Sequence, residues 1–423
     1  MAAGLNVKAA KSDRFPSVRN FTFNSFLSAA PQISTSSFFG SSGGGSRGGG
    51  AASGLSGLPA AISLLGPGQR DIPLSVTFAN VPLYTGGRLL RSIDAAGAQL
   101  GSQKSEEFRT ALDLKLTVAE AYVGVLRAQK NLEVARSNVE QLSSFARDVR
   151  NRREQGLAIR SDELAAEVSL ANARLSEIQA RTSLESAWAT YNRYLCRPLT
   201  DVVPLEELTV LAATSDWKTL AEQAFKDAEA SASGNEADVQ GLTAQAFRAR
   251  PELAGLTEQA RGLGAQADVT LAGIKPQVGF SMAYVFLGSN NLMPQGIGAA
   301  TFYADWTITD SGATHRRAAA TRQQETAALK RRADTAADIA LQVRTRWLDL
   351  LQSQRRIPVS RLAVIQAQEN IDVITDRYRQ QLSTYTEVLD AETRRVQSLN
   401  NFYNAVYDEN LAQFRLHRAV GDL

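Results

Sequence analysis

The sequence predicts a mainly helical fold with a smaller β part, arranged as two copies of one plan. Three observations support this: two long stretches nearly free of proline, four short segments of alternating apolar residues, and a chain that repeats itself at an offset of 225 residues, as from Gly87 to Gly312. Composition excludes some functions. With 2 His, 1 Cys and 3 Met, the chain is too poor in ligands for a disulfide framework or a multi-ligand zinc site. A net charge of +3 gives no field that favours nucleic acid.

The proline-poor stretches predict very long helices. No proline lies between Pro82 and Pro198, and only Pro358 interrupts the run from Pro294 to the last residue. Proline costs a helix interior about 3 kcal/mol, so its absence over such lengths favours helix. Apolar residues between Leu114 and Val149 recur at spacings of four and three, the pattern of a left-handed coiled coil. We expect a first helix over residues 87–155, about 100 Å long at ~1.5 Å per residue.

A turn and a returning helix should follow. Gly156 is placed to end the long helix as a left-handed cap. Ser161 and Asp162 offer an N-cap for a helix that returns to about Leu195.

Four segments alternate apolar and polar or small residues and predict strands: residues 19–27, 72–79, 278–286 and 300–308. A glycine-rich tract at 40–68 separates the first two, and a loop at 288–296 separates the last two, so we expect two hairpins. Alternation alone leaves open whether the apolar face meets a protein core or lipid.

The repeat runs without gaps from Gly87 through the turn and the returning helix. Identities at this offset include Arg91/Arg316, Arg152/Arg377, Leu157/Leu382 and Glu167/Glu392. One departure matters. Pro358 stands where the first half has another residue type, Glu133, and predicts a kink in the second long helix.

Several motifs together resemble the TolC-type outer membrane factor family, the exit ducts of tripartite efflux pumps and type I secretion systems. They are the strand-to-helix connection Val-Pro-Leu-Tyr-Thr-Gly-Gly-Arg at 81–88, the Arg-Pro-Glu-Leu motif at 250–253, and the turn segments 153–162 and 378–391. Each motif is weakly specific alone, but the duplicated plan covers nearly the whole chain.

The resemblance implies a homotrimer in which four membrane β-strands per protomer close a twelve-stranded barrel and long antiparallel helices form an α-helical barrel in the periplasm. It implies a passive conduit in the outer membrane of a Gram-negative bacterium, in contact with outer membrane lipid. Its partners would be a periplasmic adaptor (membrane fusion) protein and an inner-membrane pump of the RND or ABC type. We expect no enzymatic activity, cofactor, metal or nucleic-acid partner. The substrate and the pump class stay open.

The same resemblance divides the chain into seven parts. The expected parts are a remnant of a barrel helix at 1–14, a first hairpin at 15–83, a first long helix with turn and returning helix at 84–196, an equatorial linker at 197–261, a helix leading to a strand at 262–275, a second hairpin at 276–309, and a second long helix with turn and returning helix at 310–423.

The second turn carries the candidate gate. Two acidic residues one turn apart, Glu387 and Asp390, match the carboxylates that ring the periplasmic mouth in the family, and Tyr378 matches the tyrosine beside them. A ring of carboxylates would favour cations. The alternative is structural, since Thr384 and Glu387 have the spacing of a capping box. Ser383 stands where the family has an arginine that locks the mouth.

Both turns form the expected docking surface for the adaptor. The candidate residues are Gly156, Leu157, Ser161, Asp162, Leu382 and Thr386. In the second turn Gln381 replaces the usual glycine.

Two further expectations concern the whole chain. Its start lacks a signal peptide, the first equatorial helix and most of one barrel helix, so we expect neither export nor a fully closed helical barrel from this chain alone; whether copies still assemble stays open. The competing function is a structural coiled-coil scaffold without a transport role. The strands favour the conduit, because a scaffold has no need for them.

Overall fold

The computed structural model describes residues 2–26, 71–206, 236–287 and 296–423. The glycine-rich tract at 40–68, part of the equatorial linker at 197–261, and nearly all of the loop at 288–296 lie outside these ranges. In chain order the elements are α1 (Ala2–Ser12), β1 (Ser17–Phe26), β2 (Asp71–Tyr84), α2 (Arg88–Glu154), α3 (Arg160–Tyr194), α4 (Glu236–Ala249), α5 (Pro251–Ala272), β3 (Gln277–Leu287), β4 (Gly296–Asp305), α6 (Ala313–Arg379) and α7 (Tyr385–Val420).

The long helices confirm the prediction. Both α2 and α6 have 67 residues, and each is followed after five residues by a returning helix, α3 or α7. The helix α6 continues through Pro358; the kink stays a prediction. No helix among the described residues is long and apolar enough to cross a membrane.

The heptad seam explains why these helices pack. Val125 and Val149 are 0% exposed, and Val343 in the second half is also 0% exposed. The seam does not hold at its first position, because Leu114 is 51% exposed. Leu112, two residues earlier, is buried at 1% exposure, so the helix turns a different residue inward there.

The backbone repeats as the sequence does. Positive φ angles fall at four pairs of positions related by the offset: Gly86/Ser311, Gly87/Gly312, Gly156/Gln381 and Cys196/Gly421. Three of these residues are not glycine, although side chains normally disfavour the left-handed conformation. The connection therefore requires this conformation whichever residue occupies it.

One antiparallel sheet contains all four strands in the order β1-β2-β3-β4. All four strands overlap their predicted ranges. β2 continues five residues beyond its predicted end, to Tyr84, and β4 lies earlier than predicted, at Gly296–Asp305. Trp306 lies beyond the strand, where its indole nitrogen donates to the Ile274 carbonyl at 3.1 Å.

The pairing of β2 with β3 decides which residues share a face. Thr77 pairs with Tyr284, whereas Val76 pairs with Val285. Directly paired residues point to the same face, so Phe280, Tyr284 and Phe286 of β3 lie on the face where the first hairpin carries threonine and serine. Each hairpin has the apolar face that its alternation predicts, but the two faces are opposite.

The chain divides into two units. One comprises Met1–Lys104 and Ala254–Arg332 and holds the sheet; the other comprises Ser105–Leu253 and Ala333–Leu423 and holds both turns.

In the second unit the Arg-Pro-Glu-Leu motif lies in a charged network. Arg250 donates to Glu252 at 3.0 Å, and Arg418 donates to Glu252 at 3.0 Å and to Asp113 at 2.7 Å. The motif thereby links the start of α5 to the end of α7.

Candidate functional site

The first turn, residues 155–159, ends α2 with a left-handed residue. Gly156 has φ +76°, the Leu157 amide donates to the Arg152 carbonyl at 2.8 Å, and the Gly156 amide donates to the Arg153 carbonyl at 2.9 Å. These two bonds define a Schellman motif, which satisfies carbonyls that the helix end leaves open. The prediction of a left-handed cap at Gly156 is confirmed.

The second turn, residues 380–384, has the same geometry without a glycine. Gln381 has φ +63°, and the Leu382 amide donates to the Arg377 carbonyl at 2.8 Å. Both turns therefore expose one leucine at the same point, Leu157 at 56% and Leu382 at 72%.

Arg152 joins the two turns. Its guanidinium donates to the carbonyl oxygens of Tyr378 at 3.1 Å and Arg379 at 3.4 Å, and its central carbon lies 4.9 Å from the centroid of the Tyr378 ring. A cation is favoured there, because the last carbonyls of a helix carry partial negative charge. Sequence reasoning missed this role; the identity of Arg152 with Arg377 in the repeat was the available signal.

Apolar packing around Tyr378 supports its contact with Arg152. Tyr378 lies against Tyr385, with ring centroids 6.2 Å apart, and Tyr385 packs with the buried residues Val149 and Ala166. Burial raises the pKa of Tyr378, against the guanidinium of Arg152, which lowers it. Tyr378 is thus a packed residue between the two turns, in the place where the sequence located the gate tyrosine.

A cluster of charged side chains stabilises the first turn. Arg153 donates to the buried carboxylate of Glu163, Arg150 donates to Glu163 at 3.4 Å, and Arg150 also donates to Glu167 at 2.7 Å. The hydrogen bond from Arg153 holds the pKa of Glu163 below its usual range, although burial opposes this shift. The start of α3 is therefore tied to the end of α2 by charge.

The predicted N-cap of the first returning helix is wrong. The N-cap of α3 is Ile159, which makes no side-chain cap bond; Ser161 and Asp162 already lie inside the helix. Asp162 and Glu163 in the first turn of α3 supply the negative charge that a helix start favours. The N-cap of α7 is Thr384, as the capping-box spacing predicts; its side chain makes no cap bond, and its hydroxyl donates to the Glu387 carboxylate at 3.2 Å.

The two candidate gate carboxylates are exposed near the start of α7. Glu387 and Asp390 are three residues apart on this helix, so they lie on one face. Ser383, in the position of the expected lock arginine, donates to the Ile374 carbonyl at 3.3 Å. A cation from the other half of the chain reaches this region, because Arg152 donates to the Tyr378 carbonyl.

The candidate docking residues lie around the two turns. Leu157, Leu382, Ser161 and Thr386 are exposed, as is Gly156, while Asp162 is half-buried. Within the described ranges, no group of three or more His, Cys, Asp or Glu residues could hold a metal ion.

Residues 28–195 match the family described as outer membrane efflux protein. No curated protein matches the chain by sequence.

Solved structures share the fold at low identity. VceC of Vibrio cholerae is 15% identical with a TM-score of 0.74, covering 99% of this chain and 90% of its own. CmeC of Campylobacter jejuni is 11% identical with a TM-score of 0.72, covering 100% and 80%. The open state of MtrE from Neisseria gonorrhoeae is 15% identical with a TM-score of 0.69, covering 99% and 85%. All three are outer membrane proteins by name.

The description of the matched family names an outer membrane protein. The family match over residues 28–195 and the shared fold confirm the resemblance of this chain to the TolC-type outer membrane factors, the outer membrane efflux protein family.

Proposed function

We propose that the chain is the outer membrane exit duct of a tripartite efflux pump or a type I secretion system. The main observation in favour of this proposal is the family match over residues 28–195, together with a duplicated fold of hairpins and long helices. In this role the protein is a passive conduit, without a catalytic step, opened at its turns by an adaptor and an RND or ABC pump.

A homotrimer with a twelve-stranded barrel is part of this proposal. In the described sheet β1 pairs only with β2, and β4 pairs only with β3, so each chain offers two unpaired edges. Such edges favour pairing with another copy. The sheet also leaves large apolar side chains exposed, among them Phe302 at 74% and Phe21 at 53%, which lipid or a neighbouring protomer would cover.

The turns would form the periplasmic mouth. Repeating Glu387 and Asp390 around a three-fold axis gives a ring of carboxylates, which attracts cations. Tyr378 and Arg152, which hold the two turns of one chain together, would resist opening. The adaptor would dock on the exposed surface of Gly156, Leu157, Ser161, Asp162, Leu382 and Thr386.

Conductance in planar lipid bilayers tests the duct. The full chain, exported behind a secretory signal peptide and purified in detergent, should form trimers by native mass spectrometry and give discrete channels. A protein that is stable as a soluble dimer without detergent, and silent in bilayers, would contradict the duct and support the coiled-coil scaffold.

A further inference from the structure

A cavity of about 460 Å³ lies between α2, α6, α7 and the start of α5, beside the Arg-Pro-Glu-Leu motif. Four arginine side chains line it: Arg250, Arg346, Arg415 and Arg418. Two carboxylates, Asp113 and Glu120, also line it, and all six residues belong to the second unit. The wall of the cavity therefore has more cations than anions, and it contains none of the residues assigned to the gate or to the docking surface.

Two of the four arginines are buried and keep an unused donor. Arg250 is 6% exposed and Arg418 is 7% exposed. Arg250 donates to Glu252 at 3.0 Å and to Gln342 at 2.5 Å. Arg418 donates to Glu252 at 3.0 Å and to Asp113 at 2.7 Å. Among the described residues, Arg250 Nε and Arg418 Nη1 have no hydrogen-bond partner. Because an unpaired donor of a buried charged group costs free energy, an acceptor at these two nitrogens would stabilise the protein.

The other two arginines are half-buried and keep donors as well. Arg415 Nε donates to Glu120 at 2.8 Å, and Arg346 Nη1 donates to Asp349 at 3.1 Å. A guanidinium has five N–H groups, so a single ion pair leaves several of them for another acceptor. Both side chains line the cavity, where such an acceptor would lie.

The electrostatics at Arg250 favour an added negative charge. Burial lowers the pKa of its guanidinium, Glu252 opposes this shift, and the neighbouring cation Arg418 adds to it. The two buried cations share the carboxylate of Glu252. An anion close to both guanidinium groups would favour their charged forms, because opposite charges do so.

The repeated fold does not require arginine at the two half-buried positions. Ala121 and Thr190 occupy the corresponding places in the first half, 225 residues before Arg346 and Arg415. The long helix and the returning helix form in both halves. The two arginines are therefore an addition in one half, which favours a binding role over a packing role.

We propose that this cavity binds a phosphate group through Arg250, Arg346, Arg415 and Arg418. The guanidinium fork matches the oxygens of phosphate, and a phosphate group offers three strong acceptor oxygens to donors from several side chains. The cavity volume lies in the range of small-molecule sites, roughly 300–1,000 Å³, so it has room for free phosphate or for a small molecule that carries one. The site belongs to a single chain and does not depend on the proposed duct.

Isothermal titration calorimetry tests the site with two probes, inorganic phosphate and glycerol phosphate. The full chain in detergent is titrated at constant ionic strength, with sodium chloride replacing the probe in the blank. Each probe should bind saturably with one site per chain, and Arg346→Gln should weaken binding about tenfold, because it removes charged donors. Tighter binding of the ester supports a small molecule as the carrier, and equal binding supports free phosphate.

The matched control is Arg356→Gln. Arg356 is on the same helix, pairs with Asp408 at 3.2 Å and does not line the cavity, so its replacement should leave binding unchanged. As a second measurement, phosphate should raise the melting temperature of the wild-type chain and of Arg356→Gln, and should raise that of Arg346→Gln much less. Absence of binding by both probes would overturn the proposal. An equal loss in the two variants would also overturn it, since it would show attraction to surface charge in general. Channels and trimers that persist in either case would leave the proposed duct standing.

Discussion

The guanidinium of Arg152, near the end of one long helix, lies 4.9 Å from the ring centroid of Tyr378, near the end of the other. The same side chain donates to the carbonyls of Tyr378 and Arg379. One residue of the first half therefore supplies hydrogen bonds to the last carbonyls of a helix that belongs to the other half of the chain.

Replacing this arginine should loosen the second turn. Arg152→Ala removes two hydrogen bonds and a cation–π contact and should cost about 1–3 kcal/mol of unfolding free energy. Hydrogen exchange should become faster at residues 378–385. Arg147→Ala is the matched control, since among the described residues that guanidinium bonds only to the Ser143 carbonyl of its own helix. Equal effects of the two changes would contradict the linking role.

Gly156 and Gln381 both have a left-handed backbone conformation, and exchanging the residue at each position should change stability in opposite directions. Gln381→Gly should stabilise the protein by about 1 kcal/mol, because glycine adopts φ +63° without the cost that a side chain carries. Gly156→Gln should destabilise by about 1–2 kcal/mol. Chemical unfolding measures both. Gln380→Gly, next to Gln381 but without positive φ, should not stabilise; if it does, the gain is not conformational.

Acid should loosen the first turn through Glu163. Its pKa is lowered in the folded protein, first by the hydrogen bond from Arg153. A lowered carboxyl pKa means that its contribution to stability is complete above the unfolded value and is lost as pH falls through the folded value. Glu163→Gln should therefore lower the melting temperature at neutral pH and flatten its fall below pH ~4. Glu106→Gln, in the exposed pair with Arg109, is the control. A fall in the melting temperature as steep in Glu163→Gln as in the wild-type chain would refute this assignment.

A buried ion pair in α7 should be sensitive to the loss of one partner. Glu392 and Arg395 are 2% and 8% exposed and joined by bonds of 2.7 and 2.8 Å. Glu392→Ala leaves a buried cation and should cost about 3–5 kcal/mol, whereas Glu392→Met with Arg395→Met should recover most of the loss. Thermal unfolding of the single and double variants checks this. A double variant no better than the single would show that packing, and not charge, dominates.

The carboxylates at the second turn should set ion selectivity if the turns form the mouth. Glu387→Gln with Asp390→Asn should shift the bilayer reversal potential in a KCl gradient toward lower cation preference, without loss of trimers. Glu369→Gln is a control on the preceding helix. An unchanged reversal potential would remove these two residues from the gate and leave Glu387 with its hydrogen bond from Thr384.

The sequence alone predicted most of the local structure, because helices and turns depend mainly on residues that are close together in the chain. Proline spacing and the heptads located both long helices, and Gly156 marked its cap. It could not locate the N-cap at Ile159, since Ser161 and Asp162 are good caps by type and the Schellman turn at Gly156 already fixes where α3 begins. It also could not show that Gln381 adopts the conformation of Gly156, because that position follows from the repeated turn and not from its own side chain.

Tertiary structure decided the relations between the halves. The offset of 225 residues was visible in the sequence, but only packing shows that α2 meets α7 and that Arg152 crosses to Tyr378. It also shows that the apolar faces of the two hairpins lie on opposite sides of one sheet, through the pairing of Thr77 with Tyr284. Periodicity determines which side of a helix or strand is apolar, because it depends on neighbours in the chain; which surfaces then meet depends on register and packing between segments distant in sequence.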